Sequence, residues 1–210
     1  MAMAIGHRAG WPEFVVAAKS WANPSLASAI KFNSTHSVNT MQIKQQVTIN
    51  ASADKVWDIL GPQYGQVSDW ISAVHVSKER KSVGAPRHAP VSGRVCETDL
   101  GPFKETVTRY DEGDRAIAYT AQGEKMPFFV KQMSNSWKVT PINNQSAQVE
   151  MCMEAKILPV FNLVMGPMMR MQMGGMLKNA VEELKYYAEN GTPHPRKLEA
   201  QQNFQLKAAA

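Results

Sequence analysis

From Met41 onward the apolar residues keep one of two rhythms. Ile43, Val47 and Ile49 alternate with Gln42, Lys44, Gln46 and Thr48. A period of two predicts a strand with one buried face. Val56, Ile59 and Leu60 then recur at helical spacing. Ser52 stands where an N-cap belongs, and Asp54 in the first turn suits the helix dipole. Gly61-Pro62 stops this helix, and a second short one is predicted over residues 67–71.

Period two then returns. Val74 and Val76 alternate with His75 and Ser77, and residues 91–100 are extended up to a turn at Gly101-Pro102. Residues 103–110 come back, 111–114 turn, and 116–121 and 134–140 follow as strands, the latter with Trp137 and Val139 on one face. After a polar turn at 141–146, Ala147, Val149, Met151 and Met153 alternate with Gln148, Glu150, Cys152 and Glu154. Short turns between successive strands imply an antiparallel meander. Residues 159–190 are helical again, with Leu177, Val181, Leu184 and Ala188 in one stripe and Gly191 as the stop. Gly166-Pro167 and Gly174-Gly175 are predicted to loosen or kink this helix.

The order is strand, two helical pieces, six strands and a long helix. It predicts an α+β domain over residues 41–190: a curved seven-stranded antiparallel sheet wrapped around the C-terminal helix, with two short helices after the first strand. One apolar sheet face needs one cover, and the helix is available. A curved sheet and a straight helix leave a gap, which is a natural ligand pocket. Residues 191–210 read as a flexible tail. Residues 1–40 read as a disordered or non-native extension, rich in Ala, Ser and Asn, with Glu13 as their sole acid. Their composition keeps organellar targeting as an alternative to a cytoplasmic location.

Composition narrows the function classes. Hydrophobic residues make up 44% and charged residues 20% of the 210, the balance of a soluble globular protein. The net charge of +5 is spread in short runs, so no basic face with interleaved aromatics points to nucleic acid. A weak attraction to an anionic membrane surface is compatible with it. Cys96 and Cys152 form no CxxC pair, and the five histidines have no metal-ligand spacing. No GxSxG, GxxxxGK, HExxH or post-strand GxGxxG occurs, so no metal or cofactor is expected.

The stretches Ala53-Asp54-Lys55-Val56-Trp57, Val67-Ser68-Asp69-Trp70, Gly93-Arg94-Val95, Lys104-Glu105-Thr106-Val107, Tyr110-Asp111 and Ala118-Tyr119 stand in a telling order, with Trp137 further on. Together they resemble the polyketide cyclase/dehydrase-like branch of the START and birch-pollen-allergen (SRPBCC) superfamily, across some 150 residues. That resemblance implies the helix-grip fold and a hydrophobic cavity between sheet and helix. It does not fix a function, because the superfamily holds binding proteins, transfer proteins and enzymes.

Glu105 is the leading candidate for chemistry. It shares strand parity with Phe103 and Val107, which should face the helix, and an inward carboxylate is costly unless paired. The turn at Gly101-Pro102 would set Glu105 near Thr98, one or two pairs from Arg94, with Tyr119 on the next strand. The three can orient a carbonyl or carboxylate ligand, or form a buried ion pair beside a satisfied tyrosine. As general base and general acid, Glu105 and Tyr119 would suit an aldol cyclisation or dehydration. Trp70, Trp137 and Met151 are expected in the core or pocket wall, and Trp57 in packing. Six methionines fall within residues 165–176. Met169, Met173 and Met176 continue best into the Leu177 stripe, as core filling or as an adaptable apolar wall. The apolar loop at 123–130 is a lid, a membrane-touching tip, or a segment folded back on the core. The expected function is binding a lipid, isoprenoid or polyketide-like molecule, as carrier or sensor. The alternative is a cyclase or dehydratase.

Overall fold

The computed structural model describes residues 39–209. The expectations for residues 1–38 lie outside them. The first strand, β1 (Asn39–Ile49), leads into helix α1 (Ala53–Leu60). The Ser52 side chain accepts a hydrogen bond from the Lys55 amide at 3.3 Å, as its place at the N-cap required. Val56, Trp57, Ile59 and Leu60 are buried, and Trp57 packs on Tyr110 with ring centroids 5.3 Å apart. The second helical piece is a 3₁₀ turn at Tyr64–Asp69, three residues earlier than its apolar pattern predicts. Bonds from Tyr64 N to Gly61 O and Gln66 N to Gln63 O tighten the chain as soon as α1 ends.

Six strands follow: β2 (Val76–Glu79), β3 (Gly93–Thr98), β4 (Gly101–Asp111), β5 (Ala116–Gly123), β6 (Val130–Asn143) and β7 (Ser146–Ile157). The sheet is antiparallel in the order β1-β7-β6-β5-β4-β3-β2. The meander therefore runs from β2 to β7, and β1 adds beside β7. Its inward residues pair with those of β7, Ile43 with Met153 and Val47 with Val149. A slip of one residue would turn both apolar sets to solvent, which fixes the register.

One turn differs from expectation. The β3–β4 hairpin closes at Asp99-Leu100, because Thr98 pairs with Gly101. The Thr98 hydroxyl accepts from Leu100 N at 3.1 Å and donates to Gly101 O at 2.8 Å. Gly101 adopts φ +93°, a conformation open to glycine. This shift places Glu105 directly opposite Arg94 rather than near Thr98.

Helix α2 (Pro159–Asn190) packs on β1 and β7. Leu177, Ala180, Val181, Leu184 and Ala188 are buried there. Each large side chain so buried contributes about 1.5–3 kcal/mol. The predicted breaks at Gly166-Pro167 and Gly174-Gly175 do not end the helix, which runs through both. Pro167 lies on the exposed side, where water can satisfy the carbonyl that it leaves unpaired.

The C-terminal segment corrects another expectation. Instead of a flexible tail, residues Pro195–Ala209 form helix α3. Its anchor is Lys197, buried, whose Nζ donates to Val74 O at 2.7 Å and Gln201 Oε1 at 3.0 Å. Phe204 stacks on His75 at 4.4 Å, and Arg196 reaches Glu183 at 3.0 Å. Three residues inside a polar sequence do this work, so no apolar periodicity announces it.

Candidate functional site

The inner face of the sheet is built in rows. One row pairs Arg94, Glu105, Ala121, Met133, Ala155 and Met41 across six strands. The next pairs Val107, Tyr119, Asn135, Met153 and Ile43. Trp137 and Met151 sit side by side in a third. Every sequence-predicted site residue is buried: Trp70, Arg94, Glu105, Val107, Tyr119, Trp137, Met151, Met169 and Met173. Met176 is not. It is 43% exposed, off the stripe that its spacing suggested.

The structure brings Arg94, Glu105 and Tyr119 together and adds Tyr64 from the 3₁₀ turn. Arg94 Nε donates to Glu105 Oε2 at 2.6 Å, and the Tyr64 hydroxyl donates to the same oxygen at 2.8 Å. Arg94 also donates to the Tyr64 carbonyl. Its guanidinium lies 3.8 Å from the Tyr64 ring centroid and 5.3 Å from that of Tyr119. Cations over aromatic faces gain from the ring quadrupole, more so when water is excluded. Trp137 Nε1 donates to the Tyr119 hydroxyl at 3.4 Å, and Trp70 meets Trp137 edge-on at 6.2 Å.

Electrostatics follow from this packing. Burial works against the Arg94 charge, but Glu105 outweighs it with help from the tyrosines, so the Arg94 pKa is raised. Burial, then Glu105, raises the pKa of Tyr64 and of Tyr119. Both phenols stay protonated through the physiological range. Burial also pushes the Cys96 thiol up to about 11, which leaves it unreactive.

Two oxygens remain available. Glu105 Oε1 has no hydrogen-bond partner among the described residues, and its side chain is 11% exposed. Asn162 Oδ1 is buried with no partner. Asn162 precedes Met169 by seven residues, two helical turns, and so shares its inward face. Sequence reasoning missed Asn162, Asn135 and Tyr64. Asn162 was legible in its spacing from Met169, and Asn135 in its parity with Trp137. Tyr64 sits in a turn with no period to mark it.

The loop after β5 divides its aromatics. Phe129 is buried and stacks on Phe161 of α2 at 4.8 Å, whereas Phe128 is 51% exposed. The segment thus folds back at one ring and presents the other.

The profile of a family described as polyketide cyclase/dehydrase and lipid transport matches residues 40–189. No curated protein matches the chain. Among solved structures, norcoclaurine synthase from Thalictrum flavum is 17% identical, covering 72% of this chain and 96% of its own, with a TM-score of 0.58. A START superfamily protein from Mycobacterium smegmatis is 18% identical over 72% of this chain and 99% of its own, with a TM-score of 0.55. Ara h 8.0201 is 12% identical over 71% and 98%, with a TM-score of 0.51. At these identities the likeness shows the fold: a seven-stranded antiparallel sheet gripping a long C-terminal helix.

Proposed function

The chain belongs to the polyketide cyclase/dehydrase and lipid transport family of the SRPBCC superfamily, and from that premise we propose that it binds a hydrophobic small molecule between the sheet and α2, as a carrier or sensor. Family and fold are consistent with a hydrophobic ligand. The observation that carries the carrier reading is the closed cluster at Arg94. Glu105 is held by Arg94 and Tyr64 through one oxygen, and the tyrosines are kept neutral. A carboxylate so engaged is already committed to the buried cation that it compensates. The other buried residues that would line such a site are apolar: Val107, Trp70, Trp137, Met151, Met169 and Met173. Methionine adapts to irregular ligand shapes, which suits a lipid, isoprenoid or polyketide-like molecule.

Native mass spectrometry of the full chain, followed by organic extraction, tests this. A discrete extra mass is expected, and Met173→Trp should remove it by filling the space beside the ligand. A clean apo mass from several expression hosts, with no thermal shift across a panel of lipids and aromatic polyketides, would sink the carrier reading.

One observation favours the second reading, a cyclase or dehydratase: Glu105 Oε1 is unpartnered among the described residues. It offers a site for a substrate proton. If a recovered ligand is turned over by the wild type and is bound but unchanged by Glu105→Gln, the enzyme reading replaces the carrier.

A further inference from the structure

The first half of α2 is apolar on two opposite faces. Met169 and Met173 are buried against the domain, at 2% and 5% exposure. At 100° per residue, Val160, Leu163, Val164 and Met171 point the other way. They are 72%, 83%, 75% and 74% exposed. Phe128, half exposed, lies against Phe161 at 5.3 Å and so extends the patch onto the β5–β6 loop. Scattered exposed apolar residues are ordinary, but a contiguous group on one helix face marks a surface that something covers. A helix apolar on all sides belongs in an apolar medium.

The charges around the patch are mostly positive. Between Glu154 and Glu182 the chain carries no acid, and its charged residues are Lys156, Arg170 and Lys178. Lys125 and Lys131 flank Phe128, with Glu124 as the one acid in that loop. Arg170 is exposed and makes no ion pair among the described residues. No helix among the described residues is long and apolar enough to cross a membrane, so contact here is peripheral.

We propose that the outer face of residues 160–171, with Phe128, docks onto an anionic lipid bilayer. Leu163 and Val164 insert at the interface, and Arg170 and the flanking lysines meet the headgroup phosphates. The inner face of the same helix forms part of the wall assigned above to the ligand. One element therefore touches both compartments, and a bilayer-soluble ligand would pass around it. The docking does not depend on the ligand reading, and it is measured without a ligand.

The test is co-sedimentation of the full chain with vesicles of phosphatidylcholine, with or without phosphatidylserine, at low and high salt. Binding should be about tenfold stronger with phosphatidylserine and should fall with salt. Leu163→Glu with Val164→Glu should lower it about tenfold or more, and Arg170→Glu about fivefold. These side chains are exposed, so an unchanged circular dichroism spectrum and Tm are expected of each variant. Binding to neither vesicle, or binding untouched by the substitutions, overturns the proposal. A dimer in sedimentation equilibrium that Leu163→Glu converts to monomer would do so too, because a second copy would then own the face.

Discussion

Arg94 and Glu105 exclude water from one another, and neither is tolerable there alone. Their side chains are 5% and 11% exposed, and Tyr64 and Tyr119 close around them. Removing one member of a buried pair leaves an uncompensated charge and costs about 3–5 kcal/mol, whereas replacing both with apolar residues of like volume is often close to neutral. Glu105→Gln should therefore shift the urea midpoint strongly downward. Arg94→Met combined with Glu105→Leu should recover most of the loss. If the single variant unfolds at the wild-type midpoint, the pair is not a unit. Parity along β3 and β4 made both residues legible as inward-facing. Their direct pairing was not legible, because it hangs on where Thr98 bonds, and a hydroxyl's choice of partner leaves no mark on hydrophobic pattern.

At the scale of elements, the long helix was legible in extent, and it runs through the residues expected to loosen or kink it. Pro167 and the glycines weaken local propensity by about 1 kcal/mol per glycine and more for proline. Burial of Met169, Met173 and Leu177 outweighs that loss, as tertiary packing commonly does. The glycines nonetheless leave stability unclaimed. A Cβ built on Gly174 or Gly175 meets nothing within 4 Å, whereas one on Gly166 lies 3.0 Å from Asn162 Oδ1. Gly174→Ala with Gly175→Ala should stabilise the protein by about 1–2 kcal/mol, seen as a higher Tm, and Gly166→Ala should not. If the paired alanines lower Tm, the helix there needs a freedom that its continuous backbone does not display. β1 and β7, by contrast, were read almost without error. Each carries a strict alternation, and such a pattern admits one register only.

At the scale of the whole molecule, α3 ties the loop that follows Trp70 to the far half of α2. Ser72 donates to Glu183 through its amide at 2.9 Å and its hydroxyl at 2.7 Å, and Arg196 donates to the same carboxylate. Lys197 holds Val74 O, and Phe204 covers His75. Glu183 is fully buried, and these donors satisfy its oxygens. Little of this was visible in a polar C-terminal sequence, since the anchors are a lysine, an arginine and one phenylalanine spread over residues 196–204. The consequence reaches the proposed site, because Trp70 opens this loop and packs edge-on against Trp137, assigned above to its wall. Phe204→Ala should cost about 2 kcal/mol, less than a full core truncation because the ring is partly exposed. Lys197→Ala should leave the Val74 carbonyl without its donor. Local opening free energies can be read from amide exchange. In both variants the amides of residues 71–75 should exchange faster than in the wild type, while those of β1 and β7 should not change beyond the global loss. Exchange at 71–75 that stays at the wild-type rate would mean that Glu183 alone holds the loop, and that α3 lies over the domain without bracing the wall of the site.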